Sequence, residues 1–503
     1  MALAFVLPLL LYTTTAAPTV YNLDSAELTT AAYTGGLVRA TGYPTYLLVG
    51  RLWSHLPILG EDVGRRMNLL SAVCGAATLA LCAGALARLG VGFWAGLGAL
   101  GLLATSRYFW ALSLIAEVYT LHTLFVAAIL IALLCWRADP SPVRLGTAAL
   151  LVGLSFGNHL STLFLVPGCA AYALLARPDR ALARRTLATV TLALLIGAAV
   201  YLYLPWRSLR QPTFNYVGTV DAEARFEPID LTRPANMLWL VGGHAFVPLM
   251  LDYRIGDYLR EVARLGTEIW RAFAGVGFVP AVLGLFVLGR RDRPFAVATV
   301  LVFVGHAAFF VGYRTADKDT MFLPCYLVWA IWLAIGLQWL IESIVGRRPV
   351  SSASRFSAGL FAAFLAAVVA GQAAWNFPLV DQSRDDSARR LGEIVLARME
   401  PGAMLVGGWG TVPVVQYLQL VEGRRPDVQA VNSLIVVPGE LGALLRRQAA
   451  RRAVYVDLPA DADVLGVRFE RGWPVRRARL ELRQRPERAP ERRARLTSPA
   501  GDG

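Results

Sequence analysis

Two carboxylates three residues apart, Asp24 and Glu27 in the run VYNLDSAELTTAAYTGGL, are the first place in this sequence where chemistry could be done. On a helix that spacing puts both on one face. Such a pair can take a proton from a hydroxyl or hold a cation. Asp-Ser-Ala-Glu is also the pattern of a capping box, with Asp24 as N-cap and Glu27 at the third helical position. The two readings are compatible, because a cap fixes the carboxylate it uses. Thr41-Gly42-Tyr43-Pro44 reads as a tight turn that returns Tyr43 and Tyr46 towards the acids.

Further polar residues interrupt apolar sequence. Glu117, in FWALSLIAEVYTLHTLF, is an ionisable group inside a long apolar run, where it is costly unless it faces a cavity or a partner. Tyr119 and His122 follow on the next turn. Asn158 and His159 stand between two apolar runs, and Arg207 follows the aromatic run YLYLPW. An arginine there can anchor the chain to lipid headgroups or bind a phosphate with two parallel hydrogen bonds. The charged turn Arg314 to Asp319 reads as a cap on two helices. The sequence has no HExxH or Walker loop, and GGWG at 407–410 lacks the setting of a nucleotide fingerprint. No metal spacing stands out, and metal dependence stays open.

The elements that must position these groups are set by composition. Of 503 residues, 56% are hydrophobic and only 17% charged, with a mean hydropathy of +0.50. A typical soluble protein carries roughly 25% charged residues. A soluble enzyme, a coiled coil, a disordered protein and a disulfide scaffold are excluded, leaving a polytopic membrane protein. The net charge of +14 is almost all arginine, Lys318 being the only lysine. Those arginines sit in short loops between apolar runs and in the tail, which points to membrane topology and away from nucleic acid. The five cysteines lie in or beside apolar runs and read as small buried residues.

A span needs ~20 mostly apolar residues. Eleven candidates lie near 2–18, 67–87, 91–106, 112–135, 143–157, 160–176, 186–205, 272–289, 295–312, 322–345 and 356–375. The arginines alternate between loops: Arg88; Arg137 and Arg144; Arg177 to Arg185; Arg290 to Arg293; Arg347 to Arg355. The positive-inside rule puts these loops and the N-terminus in the cytoplasm. Every unusual polar group above then falls on the outer side. Two outer loops are long, 19–66 and 206–271, and carry amphipathic stretches suited to the outer interface. Beyond 375 the sequence turns polar. Helical and strand-like runs suggest a small extracytoplasmic α/β domain over 380–482, followed by a disordered Arg/Pro-rich tail at 483–503. The expected fold class is all-α polytopic, with that one α/β addition.

Seven stretches in order, LDSAELTTAAYTGGL with ATGYPTYLLVGRL, RRMNLLSAVCGA, FWALSLIAEVYTLHTLFVA, GLSFGNHLSTL, LYLPWRS, YRTADKDTMFLPCYL and YLQLVEGRRPDV, resemble the GT-C superfamily of membrane glycosyltransferases. Within it the resemblance is to a family that includes a eukaryotic endoplasmic-reticulum protein O-mannosyltransferase. It covers most of 1–345 and part of the tail. It implies a GT-C-like transmembrane domain over 1–375, a sugar donor carried on polyprenyl phosphate, and an acidic catalytic base in the first outer loop, best matched by Asp24. Glu27 and Glu117 would orient; Arg207, His159, Asn158, Tyr43 and Tyr119 would bind the donor. The resemblance implies no firm cofactor, the lipid-linked sugar being substrate. The acceptor would be a protein or glycan hydroxyl at the outer face of a bacterial inner membrane. The rival readings are a transporter or lipid flippase, and a receptor or scaffold displaying the 380–482 region. A flippase should carry polar residues through the depth of its spans and a repeat at the midplane, and neither is visible in the sequence.

Overall fold

A computed structural model of the protein describes residues 1–480 except 58–59, 252, 316, 346–351, 458–466 and 471–473. The expected tail at 483–503 lies outside the described residues. Apolar runs become helices, because a backbone in lipid must bond to itself. Among the described residues six are long and apolar enough to cross a bilayer: Val63–Arg88, Val118–Ala138, Arg184–Leu209, Arg293–Val311, Lys318–Ile344 and Gly359–Val380. Shorter apolar helices occupy the other expected spans: Ala2–Thr15, Phe93–Thr105, Pro142–Phe156, Leu160–Ala176 and Phe278–Arg291. Length and composition therefore support an integral membrane protein with six clear crossings rather than fixing eleven.

Glycine lets these helices touch. A Cβ on Gly284 would lie 1.8 Å from the carbonyl oxygen of Trp332, and one on Gly197 would lie 2.9 Å from the Cα of Gly153. Without side chains at these crossings the backbones meet directly, the usual packing device in lipid.

One expected span is corrected. The run 112–135 is not continuous: a short helix ends at Leu112 and the next begins at Val118. Side chains replace the missing helical bonds. Ser113 donates its hydroxyl to the Phe109 carbonyl at 2.7 Å, and Asn68 Oδ1 accepts the Ala116 N–H at 2.9 Å. Glu117 therefore stands in a break, just before the helix.

The described residues of the two long loops include regular elements. The first contains the helices Asp24–Thr34 and Pro44–Ser54, the second exposing Leu48 and Leu52. The other long loop carries a two-stranded ribbon and the amphipathic helix Ile255–Ala272, which exposes Ile255, Leu259 and Val262. The charged turn after Tyr313 ties that helix down. Buried Lys318 pairs with Glu261 at 2.7 Å, and Asp319 pairs with Arg264.

After Val380 the chain forms a five-stranded sheet. Its order is Gln429–Asn432, Met404–Gly407, Val454–Asp457, Arg476–Leu480, Val467–Phe469; the first three are parallel and the last two antiparallel. This sheet with its helices is fused to the loop 19–66. Val20, Ala26 and Val63 share a core with Val395, Leu405, Val415 and Leu418. Arg389 clamps Glu422 with bonds of 2.6 and 2.8 Å and also reaches Thr19 at 3.3 Å. The C-terminal residues are thereby held over the start of the helix Asp24–Thr34.

Candidate active site

The helix Asp24–Thr34 is rich in Ala, Ser and Thr, and residues 25–32 are all buried. Small side chains let it fit between the membrane helices and the C-terminal segment. The capping box expected at its start does not form. Leu23 takes the cap position with a left-handed φ of 55°, and no side chain caps the helix. Asp24 is the first helical residue, so its carboxylate is free to face other partners. A left-handed leucine is a strained conformation that the surroundings must hold.

Those partners include two residues that the sequence did not single out. Asp24 Oδ1 accepts from Arg39 Nη2 at 3.3 Å and from the indole Nε1 of Trp409 at 2.7 Å. Glu27 accepts the backbone N–H of Arg39 at 3.2 Å, with the guanidinium Nε 3.9 Å away. Arg39 thus bridges both acids. Its guanidinium lies 3.8 Å over the Trp409 ring and 5.7 Å from the ring centre of Phe246. Aromatic faces on a cation stabilise it by roughly 0.5–2 kcal/mol.

The two acids differ in environment. Asp24 is 43% exposed, whereas Glu27 is 3% exposed. Burial pushes the Glu27 carboxyl up to about 8, although Arg39 pulls it down. Glu27 therefore holds a proton at neutral pH, and the Arg39 charge is left to serve Asp24. Glu117 joins them from the helix break. Burial, then the charges of Asp24 and Asp317, raise its carboxyl above the usual range, and its backbone N–H donates to Ser71 Oγ at 3.3 Å.

Tyr43 begins the helix Pro44–Ser54 with a left-handed φ of 41°. The preceding Gly42 has a φ of +86°, and a Cβ there would come 2.8 Å from Leu204. The turn therefore needs glycine both for its backbone and for the space. Burial and the charge of Asp24 raise the Tyr43 phenol, which stays neutral. The Tyr43 ring stacks on His159 with centres 6.4 Å apart, and Tyr119 lies 5.6 Å from the same imidazole. Burial and neighbouring His306 hold His159 down at about 4, so it is a neutral ring at physiological pH. Its Nδ1 lies 2.7 Å from Ser161 Oγ, which in turn lies 3.0 Å from His122 Nε2.

Two expectations change here. Asn158 is fully buried and donates Nδ2 to the Val118 carbonyl at 3.1 Å. It fixes the start of the helix behind Glu117 instead of facing the open site. Arg207 is not brought to the acids at all. Its guanidinium and that of Arg51 flank Gly35, the opposite end of the helix Asp24–Thr34. That separation is roughly 16 Å at 1.5 Å per residue, more than one sugar phosphate bridges. Arg207 lies beside Trp206, the setting of an interfacial anchor.

Among the described residues no group of three His, Cys, Asp or Glu side chains is placed to hold a metal. A separate cavity of about 550 Å³ is lined by Arg107, Tyr108, Trp270, Arg271, Gln372 and Trp375. It is joined to the Lys318–Phe322 turn through Tyr108, whose hydroxyl donates to Asp319 at 3.0 Å.

Comparison with known proteins follows the same lines. The family described as the N-terminal domain of protein O-mannosyl-transferase TMEM260 matches residues 24–182. The mouse protein O-mannosyl-transferase TMEM260 is 26% identical over 81% of this chain and 59% of its own length. The Dictyostelium discoideum protein of that name is 22% identical over 86% of this chain and 57% of its own. The chain thus spans somewhat over half the length of the curated relatives it matches. Crystal structures of ArnT from Cupriavidus metallidurans share its architecture. The form bound to undecaprenyl phosphate has a TM-score of 0.56 at 14% identity, covering 95% of this chain and 96% of that one. The apo form has a TM-score of 0.58 at 13% identity, covering 95% and 97%. The sequence resemblance to the GT-C transferases is supported on both sides, by the O-mannosyltransferase relatives and by the ArnT-like fold.

Proposed function

We propose that the protein is a lipid-linked-sugar-dependent glycosyltransferase that moves a sugar, mannose by analogy with its relatives, from polyprenyl phosphate to a protein hydroxyl. The observation that carries this reading is the pair of unlike acids on one helix face, Asp24 open and Glu27 buried, joined by Arg39. Environments that separate two carboxyls in this way are how enzymes divide acid and base roles.

The acceptor hydroxyl gives its proton to Asp24 as its oxygen bonds to the anomeric carbon. The bond from that carbon to the phosphate oxygen breaks, and polyprenyl phosphate leaves with the electron pair. Phosphate is a good leaving group, so no general acid is required; one base and donors for the departing charge suffice. Arg39 is the cation beside the base and takes the donor-phosphate role first expected of Arg207. Glu117 and Glu27 orient, and Tyr43, Tyr119 and neutral His159 offer hydrogen-bonding edges to donor. A single displacement inverts the anomeric centre.

On this reading the site faces outward and the 380–482 domain lies outside the cytoplasm, with eleven crossings from an inside N-terminus. The membrane would be a bacterial inner membrane; the named relatives are eukaryotic. The test is transfer by the purified protein in detergent, offering a panel of polyprenyl-phosphate sugars and a Ser/Thr-rich polypeptide. Polyprenyl-phosphate mannose should be the best donor. Sugar-independent movement of the lipid across vesicles, without transfer, would favour a flippase instead.

A further inference from the structure

We propose that Trp409 is a positioning residue for the base, delivered across the chain by the C-terminal sheet, and that it turns one oxygen of Asp24 towards the acceptor. The proposal rests on the reading of Asp24 as base. Trp409 lies in the turn between the strand Met404–Gly407 and the helix Val412–Leu420. In parallel α/β sheets the turn after the carboxyl end of a strand is where functional groups are presented. Here the turn is Gly408-Trp409-Gly410, and a Cβ on either glycine would meet nothing. No packing demand explains those glycines, and they leave the indole free to lean onto the first outer helix.

The indole is not an open sugar platform. Arg39 covers a face at 3.8 Å, and Tyr216 stands tilted at 51° with ring centres 5.2 Å apart. The Tyr216 hydroxyl donates to Gln416, on the helix that follows the turn. Trp409 is therefore braced from the membrane side and from its own domain.

What remains is its N–H, which can only donate. It donates to Asp24 Oδ1, the same oxygen that Arg39 bonds. Among the described residues no protein donor bonds Oδ2. Two donors on one oxygen fix the carboxylate plane, and the other oxygen is left for the acceptor hydroxyl. Trp409 thus sets the direction of the base from 385 residues away.

The experiment compares wild type, Trp409→Phe and Trp409→His in full-length purified protein, reading kcat and KM for the acceptor separately. Phenylalanine keeps a ring on Arg39 but has no N–H. Its kcat should fall by roughly ten- to a hundredfold while KM stays within about twofold. Histidine can donate and should recover part of the loss in kcat. A structural role would leave both variants equally impaired, and that result overturns the proposal. A thermal-unfolding cycle of Trp409→Phe with Asp24→Ala is run alongside and needs no activity. Non-additive shifts are expected, and additive ones would remove the contact. If wild type transfers no sugar, the reading of the base has failed, and the cycle alone decides whether Trp409 holds Asp24.

Discussion

The helix Asp24–Thr34 is charged at both ends, with acids at its start and the guanidiniums of Arg51 and Arg207 at its close. A helix dipole favours that arrangement at each end, so sign alone says nothing about function. Expense separates them. At the far end, Arg51 donates to the Tyr33 carbonyl at 2.9 Å, an ordinary way to satisfy a helix terminus. At the near end a carboxyl is buried until it titrates at about 8, a second acid joins from a broken helix, and a tryptophan crosses from another domain. Helix stability requires none of these, and burying carboxyls acts against it. Cost without structural return marks the functional end.

The largest effect should come from Asp24→Asn. It keeps the shape and can still accept from Arg39 and Trp409, yet it takes no proton at neutral pH. Transfer should drop by roughly 10²–10⁴-fold with the melting temperature little changed. Near wild-type turnover would reduce the two ends to the same kind of feature.

Arg39→Met should come next, because it strips both acids of their cation. The donor should bind about ten- to a hundredfold more weakly, measured by titration with polyprenyl-phosphate sugar. Glu27, deprived of Arg39, should hold its proton to still higher pH. Unchanged donor affinity would remove Arg39 from the site.

Glu27→Gln should have a moderate effect on rate and a clear one on stability against pH. The unfolded chain titrates Glu27 near 4.5 and the folded chain near 8, so the folded state holds the proton across that window. The contribution to stability is full below 4.5, declines as pH rises to about 8, and is flat beyond. Glutamine cannot titrate, so that decline should be missing from melting curves of the variant. An identical slope in both proteins would mean that Glu27 is ionised in place.

Arg207→Gln should do least. At an interfacial end it should alter expression or detergent stability and leave donor affinity within about twofold, with lysine substituting fully. A tenfold loss of affinity would restore Arg207 to the donor site and erase the contrast between the ends.

Legibility in the sequence follows the range of each interaction. Helices were readable because apolar runs report local solvation, and the acids were readable because a three-residue spacing is local. Glu117 stood out against its apolar run, although the break that presents it depends on Asn68, 48 residues before Ala116. Arg39 was within reach: it is an arginine in the loop 19–66, beside a recognised turn. Trp409 was not, since no periodicity couples residues so far apart. Its only local signal was a glycine turn between a strand-like run and a helical one. Arg207 misled because it has the right chemistry at the wrong end of a helix, which only the fold reveals.

The most direct test of Asp24 as base is the anomeric configuration of the glycosylated product. Transfer from a donor of defined configuration, read by NMR on the purified glycopeptide, should give complete inversion, with Asp24→Asn making the same anomer far more slowly. Retention would contradict the base assignment, because a single in-line displacement by a base-activated hydroxyl must invert the anomeric carbon.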